Sequence, residues 1–109
     1  MAYDEELGDR VREILLEDGE VDERKMFGGL AFMVNGNMCC GIVKEDLMLR
    51  LGEERGESAL EEPHVRPMDF SGRPMKGYVY VAPAGSKDEA ELRKWIRLAR
   101  AFIDTLPPK

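Results

Sequence analysis

Apolar residues near the start of the chain recur three or four positions apart, which is the spacing of one helix face. Leu7, Val11 and Ile14 follow this spacing. The pattern predicts a helix over residues 4–18 with Asp4 as its N-cap, because an aspartate carboxylate accepts hydrogen bonds from the first backbone N–H groups of a helix.

The hydrophobic pattern becomes typical of β-strands after a polar connector at residues 20–24. Large apolar and aromatic residues predict a first strand over 25–34. It stops at Asn35-Gly36, a dipeptide well suited to a two-residue type I′ hairpin turn. A return strand over 37–43 and a third strand over 47–51 follow. The turns between these strands are too short for crossovers, so the strands must be antiparallel.

The second half of the chain predicts a short helix and two further strands. Residues 52–62 are mostly polar and predict an exposed helix. Residues 65–68 predict an edge strand, because Pro67 cannot donate a hydrogen bond to a neighbouring strand. Residues 75–81 alternate between apolar and amphipathic side chains and predict the last strand.

The last predicted helix has the clearest amphipathic pattern. Ser86 and Glu89 have the spacing of a capping box at its start. Its apolar positions are Leu92, Trp95, Ile96, Ala99, Phe102, Ile103 and Leu106. The sequence therefore predicts one α+β domain over residues 1–109. Its order is a helix, a three-stranded antiparallel meander, a short helix, two strands and a C-terminal helix packed on the sheet.

Composition and charge narrow the functional classes. A chain of 109 residues is one domain in length, and 43% hydrophobic with 35% charged residues is typical of a globular protein. The net charge of −6 opposes binding to phosphate backbones, so we expect no nucleic-acid partner. Apolar runs such as 30–34 are too short to span a membrane, and the first residues lack signal-peptide features. We therefore expect a cytoplasmic protein whose cysteines stay reduced.

Cys39, Cys40 and the single histidine, His64, are the candidates for metal or redox chemistry. Adjacent residues of a strand point to opposite faces, so the two thiols should not converge on one metal. We expect no metal site and no cofactor. One thiol should be a small core residue. The other would face a helix or solvent. If it lies near a base such as Lys44 or Arg50, that base would favour its thiolate, as a redox role requires.

An alternative hypothesis makes the chain a small enzyme or ligand-binding protein. Cys39, Cys40, His64 and Arg66 would then converge on a pocket between the sheet and the polar second helix. No recognisable nucleophile motif surrounds the cysteines, and we therefore expect no catalytic residues. A structure that scatters the four groups would count against this alternative.

A basic stripe on the last predicted helix is a possible nucleic-acid surface. It contains Arg93, Arg97 and Arg100. Glu89 and Asp104 lie four residues from Arg93 and Arg100, respectively, and this spacing brings side chains together on a helix. We therefore expect internal ion pairs on this stripe rather than a binding site.

Methionines on or beside the predicted strands are the most unusual feature of the sequence, and most of them would fill the core. Met48 differs, because it shares with Arg50 the strand face opposite three leucines, so we expect it on an exposed apolar surface. Gly28-Gly29 precede a strand and would allow a bulge or a close backbone approach. The candidate interaction surface comprises Met26, Phe27, Gly28, Gly29, Met48 and Met68.

Several short segments of the sequence together match one protein family. Lys25-Met26-Phe27-Gly28-Gly29 opens the first predicted strand, and Asn35-Gly36-Asn37-Met38 contains its hairpin turn. The further segments are Pro67-Met68-Asp69-Phe70, Lys76-Gly77-Tyr78-Val79 and Thr105-Leu106-Pro107-Pro108-Lys109. Over nearly its whole length the chain resembles the N-terminal domain of the TfoX/Sxy proteins.

Full-length members of that family are bacterial regulators of natural competence in which a second, helical domain follows. The resemblance implies the helix and strand order given above and a stand-alone N-terminal domain. We expect a non-enzymatic regulatory or protein-interaction module whose partner is another protein or a second copy of the chain. A homodimer would form through the strand region that holds Met26 or Met48, or through the edge strand at 65–68.

Overall fold

The computed structural model of the chain describes residues 3–26, 28–70 and 72–108 and has the predicted α+β architecture. In chain order its elements are α1 (Glu5–Leu16), β1 (Asp22–Met26), β2 (Gly29–Val34), β3 (Asn37–Val43), β4 (Asp46–Arg50), α2 (Glu53–Ala59), β5 (Val65–Phe70), β6 (Arg73–Val81), α3 (Pro83–Ser86) and α4 (Glu89–Ile103). Asp4 caps α1 as predicted, because its carboxylate accepts a hydrogen bond of 3.1 Å from the Leu7 N–H.

The described strands form one antiparallel sheet in the order β1-β2-β3-β4-β6-β5. Strand β5 therefore lies at an edge, which confirms the predicted edge strand. Strand β1 forms the other edge, and here two predictions are wrong. Residues 22–24, predicted as part of a connector, belong to β1, and the single strand predicted over 25–34 is divided between β1 and β2. Asp22 to Lys25 are charged and exposed on both faces of the strand, so no apolar alternation marks it.

The hairpin predicted at Asn35-Gly36 is confirmed. The two turn residues have φ angles of 54° and 81°, as a type I′ turn requires. Leu30 pairs with Ile42 and Val34 pairs with Asn37, so β2 and β3 run antiparallel on either side of the turn.

The apolar face of helix α4 is packed in the core as predicted, but the N-cap of the helix differs from the prediction. The Asp88 carboxylate accepts a hydrogen bond of 3.2 Å from the Glu91 N–H, whereas Ser86 ends α3. The predicted capping box is therefore wrong. Trp95 of α4 is 2% exposed. Among the helices in the described ranges, none is long and apolar enough to cross a membrane.

The hydrophobic core lies between the helices and one face of the sheet, which we call the core face. Its strand side chains include Leu30, Phe32, Ile42, Leu47, Leu49, Val79 and Val81. Buried residues of α1 and α4, and Ala59 of α2, belong to the same cluster. Helix α2 is shorter than the predicted 52–62 and ends at Ala59.

Candidate interaction surface

The opposite side of the sheet carries a row of residues that crosses every described strand. Each residue of the row is the Cα partner of the next: Arg24, Ala31, Gly41, Met48, Tyr80 and Arg66. Facing residues of antiparallel strands share a face, so these side chains lie on one side of the sheet. The helices of the described residues pack on the core face, and we therefore call this side the open face.

Half-buried sulfur-containing and aromatic side chains flank the row on the open face. Met33 of β2 pairs with Met38 of β3, and Arg50 of β4 pairs with Tyr78 of β6. Both methionines, Tyr78 and Tyr80 are neither fully buried nor fully exposed. The open face thus combines methionine, tyrosine and arginine, which are residue types enriched in protein interfaces.

An ion pair and a cation–π contact hold Tyr80 near the β5 edge of the open face. Arg66 Nη2 lies 2.6 Å from Asp46 Oδ2, and the Arg66 guanidinium lies 4.7 Å from the Tyr80 ring centroid. The hydrogen bond to Asp46 raises the pKa of Arg66. Burial raises the pKa of Tyr80 above its usual value of 10.0. Tyr80 is therefore a neutral phenol at physiological pH and can donate a hydrogen bond to a partner.

Arg50 lies at one end of the open face and contacts Phe102 of helix α4. Its guanidinium lies 5.7 Å from the Tyr78 ring centroid and 5.6 Å from the Phe102 ring centroid. Its Nη1 also donates a hydrogen bond of 3.5 Å to the Met38 carbonyl. These contacts restrict the side chain before any partner binds.

Met48 lies in the central row, but its expected exposure is wrong. The side chain is only 1% exposed. Its Cε occupies the space beside Gly41, where an added Cβ would come within 2.9 Å of it. Because Gly41 has no side chain, Met48 can lie flat on β3 and be covered by its neighbours.

The other residues of the predicted interaction surface do not form one exposed patch. Met68 is fully buried. Gly29 lies so close to the backbone of β3 that an added Cβ would clash, which confirms the predicted close approach. Met26 is half-buried, Gly28 is exposed in the β1–β2 turn, and Phe27 lies outside the described residues. The role of these residues in binding stays a prediction.

Cys39 and Cys40 both lie in the core, so the expectation that they point to opposite faces is wrong. Phe32 pairs with Cys40 and Met33 pairs with Met38, which makes Cys39 the extra residue of a β-bulge. Hydrogen bonding to Cys39 and complete burial raise the pKa of the Cys40 thiol well above its usual range. Both residues are free thiols, and neither faces outward as the redox hypothesis requires.

The four groups of the enzyme hypothesis are scattered. The cysteines are in the core, while Arg66 lies on the open face, so the sheet separates them. His64 is exposed in the loop before β5. A cleft of about 180 Å³ does lie between α2 and the sheet, but its described walls include none of the four groups. Within residues 3–26, 28–70 and 72–108, no three His, Cys, Asp or Glu side chains are grouped as metal ligands would be.

The basic stripe of helix α4 is paired as predicted. Arg93 Nε lies 2.9 Å from Glu89 Oε2, and Arg93 Nη1 lies 2.7 Å from Glu17 Oε1 on α1's C-terminal side. Arg100 Nε lies 3.4 Å from Asp104 Oδ1. These contacts partly neutralise the cations that a phosphate backbone would need.

Comparison with models of known protein families identifies the class of domain. The family model of the TfoX N-terminal domain matches residues 13–103. The chain therefore belongs to the TfoX N-terminal domain family. Comparison with curated proteins and with solved structures found no match.

Proposed function

We propose that the chain is a non-enzymatic regulatory module that binds another protein in the cytoplasm through the open face of its sheet. One observation carries the proposal: Met33, Met38, Tyr78 and Tyr80 are each partly accessible on the side of the sheet opposite the helices, around the buried row residues Ala31, Gly41 and Met48. An antiparallel sheet commonly packs one face on the core and presents a polar second face to water. The mixture of thioether and aromatic groups on the second face here is instead typical of a binding surface.

The side chains of the open face are partly ordered in advance, which lowers the entropic cost of binding. Arg66 is held by Asp46 and Tyr80, and Arg50 is held by Tyr78 and the neighbouring backbone. The best partner presents apolar side chains to the methionines and an acceptor to the Tyr80 hydroxyl. Membership in the TfoX N-terminal domain family supports a regulatory role.

The test is affinity capture with open-face variants. The wild-type chain, Met38→Ala and Tyr78→Ala are each immobilised and exposed to cytoplasmic extract from the native cell, and retained proteins are identified by mass spectrometry. We expect at least one protein that the wild type retains and that both variants lose, because each truncation removes contact area at the binding surface.

Leu16→Ala is the matched control. Leu16 is 53% exposed on helix α1 and is therefore an accessible apolar residue away from the open face. It should retain the same proteins as the wild type. If the two open-face variants, shown to be folded by their melting temperatures, also retain those proteins, the open face is not the binding surface.

A further inference from the structure

Strand β1 lies at an edge of the sheet, and its acidic residues precede its basic residues along the strand. Asp22, Glu23, Arg24 and Lys25 are all exposed, and they run from two acids to two bases. A free edge also offers unpaired backbone N–H and C=O groups. We propose that two copies of the chain pair antiparallel along β1 about a two-fold axis, so that their sheets join. This inference rests on the proposed interaction function and names a second copy as one partner.

Symmetry limits the registers that such a pair can adopt. A two-fold axis that relates neighbouring antiparallel strands runs perpendicular to the sheet, so each copy keeps its open face on the same side. Residues that face each other must then belong to the same face of the sheet. With Glu23 on the axis, Asp22 of each copy faces Arg24 of the other. The two-fold axis therefore creates two ion pairs on the open face.

The two Glu23 side chains face each other across the axis, but the charge of each is already compensated within its own chain. Arg12 of α1 holds both carboxylate oxygens of Glu23, with Arg12 Nη2 2.8 Å from Glu23 Oε1. Lys25 of the other copy would lie diagonally across from Glu23, within reach of a long side chain. A register centred on Arg24 would also form two ion pairs, between Glu23 and Lys25, but it would place two arginines face to face. Among the ion pairs of the described residues none compensates Arg24, whereas Arg12 compensates Glu23. The register centred on Glu23 is therefore favoured.

The edge at β5 is less suited to the same pairing. Pro67 has no N–H to donate, and the register of β5 with β6 shifts between Pro67 and Asp69. The register of β1 with β2 runs without a shift over Asp22–Met26. Pairing at β1 also places both open faces on the same side of the joined sheet. A partner protein would then meet a binding surface of twice the area.

Charge reversal at the paired positions tests the proposal. Sedimentation velocity is measured from about 10 µM to about 1 mM, because one pair of strands makes a small interface. We expect the wild type to associate reversibly into dimers, less so at high salt. D22R places positive charges opposite each other, and R24D places negative charges opposite each other. Each change acts twice by symmetry and should weaken association roughly tenfold or more.

Two further samples distinguish pairing between positions 22 and 24 from an effect of net charge on association. An equimolar mixture of D22R and R24D should associate although each variant alone does not, because both facing pairs of positions 22 and 24 in the heterodimer have opposite charges. The double variant D22R/R24D should associate like the wild type for the same reason. D69R, which makes the same charge change on β5, should leave association unchanged.

The proposal is overturned if the wild type stays monomeric over the whole range. It is also overturned if D22R and R24D associate as the wild type does, or if their mixture fails to recover association. Met38→Ala and Tyr78→Ala do not touch this edge and should dimerise normally. Sedimentation therefore reports on the β1 edge and affinity capture on the open face, so either proposal can fail without the other.

Discussion

Gly56 of α2 packs directly against Gly77 of β6, because an added Cβ on Gly56 would lie 3.0 Å from the Gly77 Cα. Gly77 also has a φ of +86°, in the left-handed region that favours glycine. The two glycines let α2 approach the sheet without side chains between them. This close packing sets the position of α2 at the core face.

Gly77→Ala should destabilise the fold by more than the roughly 1–2 kcal/mol that left-handed backbone alone costs. Its Cβ would come within 3.0 Å of the Gly52 carbonyl carbon and 3.1 Å of the Glu53 nitrogen, so α2 would have to move. Chemical denaturation measures the free energy of unfolding. Gly72→Ala is the control, since its φ is +76° but nothing lies within 4 Å of the added Cβ. Equal losses in the two variants would contradict the packing argument.

Several elements could be predicted from local chemistry. Asp4 has a capping side chain before an amphipathic repeat, and Asn35-Gly36 accepts the positive φ angles of a tight turn. In both cases the determining interaction lies within a few residues. The alternation over 47–51 also placed Met48 and Arg50 on the face opposite the leucines, as the strand pairing shows.

The remaining features depend on neighbours that are distant in sequence. Strand β1 is charged on both faces and is recognisable only by its pairing with β2. The bulge at Cys39 is a mismatch between two strands, so neither strand alone indicates it. Met48 is buried because the residue that it faces on β3, Gly41, has no side chain and leaves room for it. The side of the sheet on which Met48 and Arg50 lie was therefore predictable from the sequence, whereas the burial of Met48 was not.

Trp95→Ala should cost about 3–5 kcal/mol of stability, which is a large part of the total for a small domain. Trp95 is 2% exposed in the core, and Lys94 Nζ lies 4.3 Å from its ring centroid. Thermal and chemical unfolding measure the loss. Arg97→Ala, on an exposed position two residues along α4, should change stability by no more than about 0.5 kcal/mol. An unchanged melting temperature in Trp95→Ala would show that its packing contributes little.

The thiols of Cys39 and Cys40 should not react with a thiol reagent in the native protein. Both side chains are fully buried, and hydrogen bonding and burial favour the protonated form of Cys40 by raising its pKa. Labelling should become rapid only in denaturant. Met38→Cys is the positive control, because this neighbouring position is half-buried on the open face. Rapid labelling of the native wild type would mean that the β3 bulge opens readily.

The chain should have negligible affinity for duplex DNA at physiological salt. Its 16 basic residues are outnumbered by 22 acidic ones, and the arginines of α4 are paired with Glu17, Glu89 and Asp104. A gel-shift titration with micromolar protein measures the affinity. A complex that forms at sub-micromolar protein and weakens with added salt would contradict this prediction.

The carboxyl group of Glu23 should titrate below its usual pKa of 4.5, because the Arg12 guanidinium donates hydrogen bonds to its charged form and attracts it. The folded-state pKa is thus below the unfolded value. The associated stabilisation is present above the unfolded pKa and is lost as the pH falls through the folded one. Carboxyl resonances followed by NMR against pH measure the folded pKa.

Arg12→Ala should return the pKa of Glu23 toward 4.5 and reduce the dependence of stability on pH in the acid range. Arg55→Ala removes an exposed arginine from α2 and should leave the Glu23 titration as it is in the wild type. If Glu23 still titrates at the same depressed pH in Arg12→Ala, the cause lies elsewhere in the fold. In that case Arg12 would not compensate the charge of Glu23. The argument for a dimer register with Glu23 on the two-fold axis would then be weaker.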